Sequence, residues 1–271
     1  MKIGIFDSGV GGLSILKKLI DELPEYDYMY LADNAHVPYG EKSSELILDY
    51  ATRAVEYLFA HDCYLIILAC NSATSQALRT IQQKYLPVYY PNRRVLGVIR
   101  PIVDQVVEDG ARRVGVMGTR ATIASCSFAH EIHKLDGDIE VTQVACPLLV
   151  PKIEKGEVSF DHLDKLLDEY LAPFQSEQIE SLILGCTHYE LVKDQIVAKL
   201  GPSIRVYGEG EITARKLRDY LNMHPEIDTQ LSKMGLREFY ATDPELGYQS
   251  LMKLFLGVHF TSSSPLLPAT I

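Results

Sequence analysis

No stretch of the 271 residues approaches the ~20 uncharged positions that a bilayer demands, so no transmembrane helix is expected. Basic charge is also scarce. The 26 Lys and Arg are outnumbered by 36 Asp and Glu, and basic doublets are few, Arg93-Arg94 and Arg112-Arg113 among them. Phosphate backbones need clustered cations, so nucleic acid is not an expected partner. Cysteine is limited to Cys63, Cys70, Cys126, Cys146 and Cys186, widely spaced and without a C-x-x-C pair. That spacing argues against a disulfide scaffold or a zinc site. Missing too are G-x-G-x-x-G and G-K-[ST], the marks of dinucleotide and P-loop nucleotide binding. The first residues run straight into the strand-like Ile3-Gly4-Ile5-Phe6, leaving no room for a signal peptide, and reduced thiols fit the cytoplasm expected from that.

What is present is apolar material in an alternating order. Hydrophobic residues make up 47% of the chain, enough for real cores in a protein of this length, and two domains are expected. Runs such as Ile3 to Phe6, Tyr64 to Ala69, Arg113 to Met117 and Ser181 to Gly185 are each followed by a segment of helical period. Strands buried on both faces and separated by helices predict a parallel α/β sheet. Between Ser43 and Asp62 the residues Ile47, Tyr50, Ala51, Ala54 and Leu58 share one helical face, with Ser43 as the N-cap. Val192, Ile196 and Leu200 repeat the spacing after Cys186.

The chain also repeats itself. Ile3-Gly4-Ile5-Phe6-Asp7 aligns with Val114-Gly115-Val116-Met117-Gly118, and Leu65 to Asn71 aligns with Ser181 to Thr187, at offsets of 111 and 116 residues. Both second segments end in a cysteine followed by a polar residue. The expected architecture is two pseudo-symmetric parallel-sheet α/β lobes facing each other across an active-site cleft. Residues 1–97 plus 210–271 form the first lobe, with a disordered tail over about 261–271, and residues 98–209 form the second.

Candidate chemistry gathers at the strand ends. Asp7-Ser8-Gly9-Val10-Gly11-Gly12 places glycines where backbone amides can approach an anion, and Pro38-Tyr39-Gly40 lies in a loop. Cys70-Asn71-Ser72-Ala73-Thr74 and Cys186-Thr187-His188 each set a thiol at a strand-to-helix turn. A helix N-terminus lowers a thiol pKa from about 8.5, so both cysteines are expected to favour the reactive thiolate. Cys63 and Cys126 read as packing residues, and Cys146 has no assigned chemistry. His130 and His133 lie three apart on a predicted helix without a third partner, so no metal is expected.

Taken in this order, those motifs, with Leu184-Gly185-Cys186-Thr187-His188-Tyr189, closely resemble glutamate racemases of the aspartate/glutamate racemase superfamily, over Ile3 to about Leu256. The resemblance implies a cofactor-independent two-base proton transfer between L- and D-glutamate that supplies D-glutamate for peptidoglycan. It implies Cys70 acting on D-glutamate and Cys186 on L-glutamate, with Asp7 and His188 as their respective partners. Ser8, Pro38, Tyr39, Gly40, Asn71, Ser72, Thr119, Thr122 and Thr187 are implied to hold the substrate, and Glu154 to lie near the second base. No cofactor is expected. Relatives are often dimers, so a homodimer is expected without a defined arrangement.

Several positions depart from the family pattern. Ser72 stands where threonine is usual, Arg100 where many relatives carry an acid, and Glu190 where proline is common; Tyr207-Gly208-Glu209-Gly210 replaces a turn containing Asp-Ser. None removes a catalytic group. Two rival readings are a racemase of another acidic amino acid such as aspartate and a non-catalytic binding or regulatory protein on the same scaffold. One methylene changes selectivity by only ~1–3 kcal/mol, so pocket size is the open question for the first.

Overall fold

The computed structural model describes residues 1–244, 252, 255, 256 and 266–271. Its first stretch alternates strand and helix: β1 (Lys2–Asp7), α1 (Leu13–Glu22), β2 (Tyr28–Ala32), α2 (Ser44–Ala60), β3 (Cys63–Leu68), α3 (Asn71–Thr80), α4 (Leu86–Tyr89) and β4 (Arg94–Gly97). The second stretch holds α5 (Ile99–Glu108), β5 (Arg113–Gly118), α6 (Arg120–Ala124), α7 (Ser127–Leu135), β6 (Glu140–Ala145), α8 (Leu149–Glu154), α9 (Phe160–Ser176), β7 (Ser181–Gly185), α10 (Lys193–Leu200) and β8 (Arg205–Tyr207). The chain then returns through α11 (Glu209–Met223), α12 (Pro225–Asp228), β9 (Arg237–Ala241) and β10 (Leu266–Pro268).

Among the described residues two sheets result, ordered β10-β9-β2-β1-β3-β4 and β6-β5-β7-β8, and every strand pairing is parallel. The repeat seen in sequence is a repeat of topology, because β2-β1-β3-β4 and β6-β5-β7-β8 follow the same relative order. Ile5 pairs with Ile67 in the first sheet and Val116 with Ile183 in the second, so the matched segments are matched neighbours. β3 and β7 therefore end at equivalent places, and Cys70 and Cys186 follow them.

Each central strand divides its side chains between two cores, as the two-residue period of a strand requires. Ile3, Ile5, Leu65 and Ile67 pack with residues of α1 and α11, while Phe6, Ile66 and Leu68 pack against α2 and α3. In the second sheet Val114, Val116 and Ile183 point to α5 and α7, and Met117, Leu182 and Leu184 to α8, α9 and α10. Helix α2 starts where its cap predicts, with the Ser43 hydroxyl accepting from the Leu46 amide at 3.4 Å. Among the described residues, no helix is long and apolar enough to cross a membrane.

Three expectations need correction. Cys126 is exposed in the left-handed region at φ 53, so it is not a packing residue; Cys63 is buried, beside Met29. The tail does not end in disorder. Leu266–Pro268 adds to the edge of the first sheet against Phe239–Ala241, because β9 otherwise presents an open row of backbone donors and acceptors. Residues 261–265, including the Ser262-Ser263-Ser264-Pro265 run, lie outside the described residues. Finally, Cys186 is not followed directly by an α-helix: a 3₁₀ segment, Thr187–Val192, comes before α10.

Candidate active site

The two strand ends face each other across a narrow cleft. Its walls include Ser8, Pro38, Tyr39, Gly40, Cys70, Asn71 and Ser72 from the first lobe and Thr119, Glu154, Cys186, Thr187 and His188 from the second. Cys70 is the N-cap of α3, and its Sγ lies 3.4 Å from Ser8 Oγ. Behind it Asp7 is fully buried at the end of β1, accepting from the Gly9 amide at 3.0 Å through one carboxylate oxygen, while the other has no side-chain or backbone partner within hydrogen-bond geometry among the described residues. On the opposite wall Cys186 Sγ is 3.9 Å from His188 Nδ1, and His188 Nε2 is 3.1 Å from Glu154 Oε1.

Charge in this cleft is governed by burial. The Cys70 thiol is pushed up to about 11, by desolvation first and then by the nearby Asp7, against hydrogen bonds from Ser8 and the Ala73 amide that pull the other way. Cys186 is held well above the ordinary thiol range by desolvation, against a hydrogen bond from the His188 amide. The lowering expected from a helix N-terminus is thus overridden, because loss of water around a full charge outweighs the partial charges of a few amides. Asp7 is likewise raised by burial, with His188 opposing.

Hydroxyls stitch the lobes together beside the thiols. Ser72 Oγ is 2.9 Å from Thr119 Oγ1, which is 3.0 Å from Thr122 Oγ1. Thr122 lies behind this pair, fully buried, and is not among the residues forming the cleft wall; a direct substrate contact from it is not what its position provides. The Tyr39 hydroxyl donates to Asp33 Oδ2 at 2.5 Å. Thr187 is buried with its side chain against the glycine turn of the first lobe.

The glycines serve close approach between the lobes. A Cβ on Gly11 would lie 2.6 Å from His188 Nδ1, and one on Gly40 would lie 2.5 Å from Thr119 Cβ. Neither has a positive φ, so the missing side chain is a matter of space.

The departures noted in sequence are accommodated. Arg100 pairs with Asp104 at 2.6 Å and with Glu131, which also receives Arg79 from α3 and so ties α7 to the first lobe. Glu190 folds over Gly208 and pairs with Lys193 at 3.5 Å. Glu209 was marked in sequence only as part of the departing turn Tyr207-Gly208-Glu209-Gly210, with no role: a glutamate in the first turn of a helix reads as an ordinary partner of the helix dipole. In the structure it is buried, and its Oε2 accepts from Asn71 Nδ2 at 2.7 Å.

Comparison with known proteins gives a consistent picture. The model of the Asp/Glu/Hydantoin racemase family matches residues 3–217. A glutamate racemase of Persephonella marina is 38% identical over 259 residues, spanning 95% of this chain and 94% of the relative. The crystal structure of glutamate racemase from Francisella tularensis in complex with D-glutamate is similar at a TM-score of 0.85 and 34% identity, covering 96% of this chain and 95% of that one. A glutamate racemase isoform from Bacillus anthracis is similar at a TM-score of 0.87 and 29% identity, covering 99% and 98%.

Proposed function

This chain belongs to the Asp/Glu/Hydantoin racemase family and is an amino-acid racemase, and on that premise we propose that it interconverts L- and D-glutamate through two thiols. The observation that carries this reading is the placement of Cys70 and Cys186 after equivalent strands, on opposite walls of one cleft. One sulfur, as thiolate, takes the α-proton: the C–H bond breaks and an S–H bond forms. The opposite thiol gives its proton to the other face of the carbon, leaving a thiolate there and an inverted centre. Cys70 takes the proton of D-glutamate and Cys186 that of L-glutamate. The product D-enantiomer would feed peptidoglycan synthesis.

Elevated thiol pKa values suit the chemistry better than lowered ones would. An α-proton beside a carboxylate is very weakly acidic, and a thiolate that regains its proton near pH 11 is a stronger base than one that regains it near 8.5. The cost is a small thiolate population at neutral pH. A dry cleft that stabilises the developing carbanion supplies the rest, and the Ser8, Asn71, Ser72, Thr119 and Thr187 groups offer donors for the two substrate carboxylates. In this reading Asp7 and His188 are the proton partners of Cys70 and Cys186, supported by the electrostatic effect of Asp7 on Cys70 and the 3.9 Å approach of His188 Nδ1 to Cys186 Sγ.

Incubation with each enantiomer of glutamate and of aspartate in D2O, following optical rotation and loss of the α-proton signal, tests the proposal. Both enantiomers of glutamate should racemise with incorporation of solvent deuterium. Silence with all four, thiols verified as reduced, would end the catalytic reading; turnover of aspartate alone would move the substrate.

A further inference from the structure

Glu209 is a buried acid that the reaction above leaves unused. It opens α11, is 4% exposed, and its Oε2 accepts from Asn71 Nδ2 at 2.7 Å. Among the described residues its other oxygen, Oε1, has no partner, and neither has Oδ1 of Asn71. An ionised carboxylate only accepts, so in that state both orphaned atoms are buried acceptors facing no donor. Neighbouring charge offers no relief. Lys18 Nζ of α1 is 2.7 Å from Glu211, and Lys193 at the start of α10 is paired with Glu190, so these two cations are engaged elsewhere. From β1 and the turn after β7 come Asp7 and Glu190, both acidic, and the Cys186 thiol also senses Glu209.

We propose that Glu209 is a protonated carboxylic acid that positions Asn71, holding its side-chain amide with an N–H directed at a substrate carboxylate. The proposal rests on the racemase reading and adds a positioning residue to it. A neutral acid and a primary amide match donor to acceptor twice: Nδ2–H to Oε2, and O–H from Oε1 to Oδ1. One proton thereby satisfies both orphaned acceptors and removes a buried charge. The second Nδ2 hydrogen stays free, and Asn71 lines the cleft between Cys70 and Ser72, where an anion would meet it. An ionised Glu209 would instead add a negative charge near the substrate carboxylates and oppose the thiolate at Cys186. Burial pushes this carboxyl well above the ordinary carboxylate range, with Glu190 and Asp7 adding to the effect and the Asn71 hydrogen bond opposing it.

Three full-length proteins test this: wild type, Glu209→Gln and Glu209→Ala. The infrared difference spectrum of wild type minus Glu209→Gln at neutral pH should contain the carbonyl stretch of a protonated carboxyl; a carboxylate band in its place overturns the proposal. The glutamine can donate to Asn71 Oδ1 as the acid does, so its KM for D-glutamate should stay within about threefold of wild type, whereas alanine should raise KM about tenfold or more with a smaller change in kcat. As pH rises far enough to ionise Glu209, KM should climb in wild type and not in Glu209→Gln. Equal impairment of the two variants, or an unchanged KM in a folded Glu209→Ala, also overturns it. Should Glu209→Ala fail to fold, the infrared band and the pH dependence of KM in Glu209→Gln decide the matter. If wild type turned over neither acid, the racemase reading would fall while the infrared band still decided the protonation, and calorimetric binding of D-glutamate to the three proteins would decide the positioning.

Discussion

The two walls of the cleft are built on the same topology and furnished with different chemistry. On the first, Cys70 touches a hydroxyl, and the acid behind it, Asp7, is fully buried, with one oxygen unpartnered among the described residues. On the second, Cys186 touches an imidazole whose far nitrogen meets Glu154, a side chain 26% exposed. On the proposed mechanism, a proton leaving Cys186 would meet a chain of titratable groups towards solvent, and one leaving Cys70 a hydroxyl and a buried carboxyl. The repeated strand order thus matches where the two cysteines stand and not what stands behind them, because the strand end is set by sheet geometry and its surroundings by the local side chains.

The largest expected effect tests whether the walls are interdependent. Cys70→Ala and Cys186→Ala should each lower racemisation by about 10³-fold or more, since each removes a proton donor or acceptor that the other wall cannot replace. Circular dichroism of the glutamate solution measures it, and normal turnover by either variant would break the two-wall scheme. Gly11→Ala should be felt mainly on the second wall. Its Cβ would press into His188 Nδ1 at 2.6 Å, and a displacement of about 1 Å near the reacting groups costs about 10²-fold. Deuterium exchange should then fall more for L-glutamate than for D-glutamate; equal losses would mean the walls move as one body.

Acidity separates them further. With Cys70 near 11, kcat/KM should rise with pH by up to about tenfold per unit from pH 7 to 9, as the thiolate fraction grows. A flat profile over that range would show that Asp7 or His188 has already taken a thiol proton before substrate binds. The same shifts bear on stability. Cys63 and Cys146 are pushed up to about 12 and Cys70 to about 11, all above the unfolded value near 8.5. A raised folded pKa means the unfolded chain releases its protons first, so this stability is full below about pH 8.5 and is lost as pH rises through 11 to 12. Denaturant midpoints at pH 8 and 10.5 should reveal the fall. The smallest effect belongs to Glu154→Gln, about three- to tenfold in kcat, because its partly exposed carboxylate acts only through His188. A pH profile unchanged by that substitution would remove Glu154 from the second wall's proton chain.

Much of the fold was legible in the chain. The runs beginning at Ile3, Tyr64, Arg113 and Ser181 are strands because β-branched apolar residues buried on both faces have few other uses, and the matched segments find matched partners. The motif residues meet in one cleft because they follow those strands. Less was legible where a residue's meaning depends on a distant neighbour. Glu209 lies 138 positions from Asn71, the exposure of Cys126 comes from a left-handed turn no local pattern announced, and β10 joins a strand whose open edge only the assembled sheet creates.

Position and protonation divide along that line. Sequence alone determined that two cysteines end equivalent strands, since hydrophobic period and internal repeat are local properties of the chain. Whether those thiols and the acids near them carry charge was decided by the tertiary structure. A helix N-terminus next in sequence pulls their pKa down by a modest amount, but two lobes closing over the site remove the water, and desolvation of a full charge outweighs that pull.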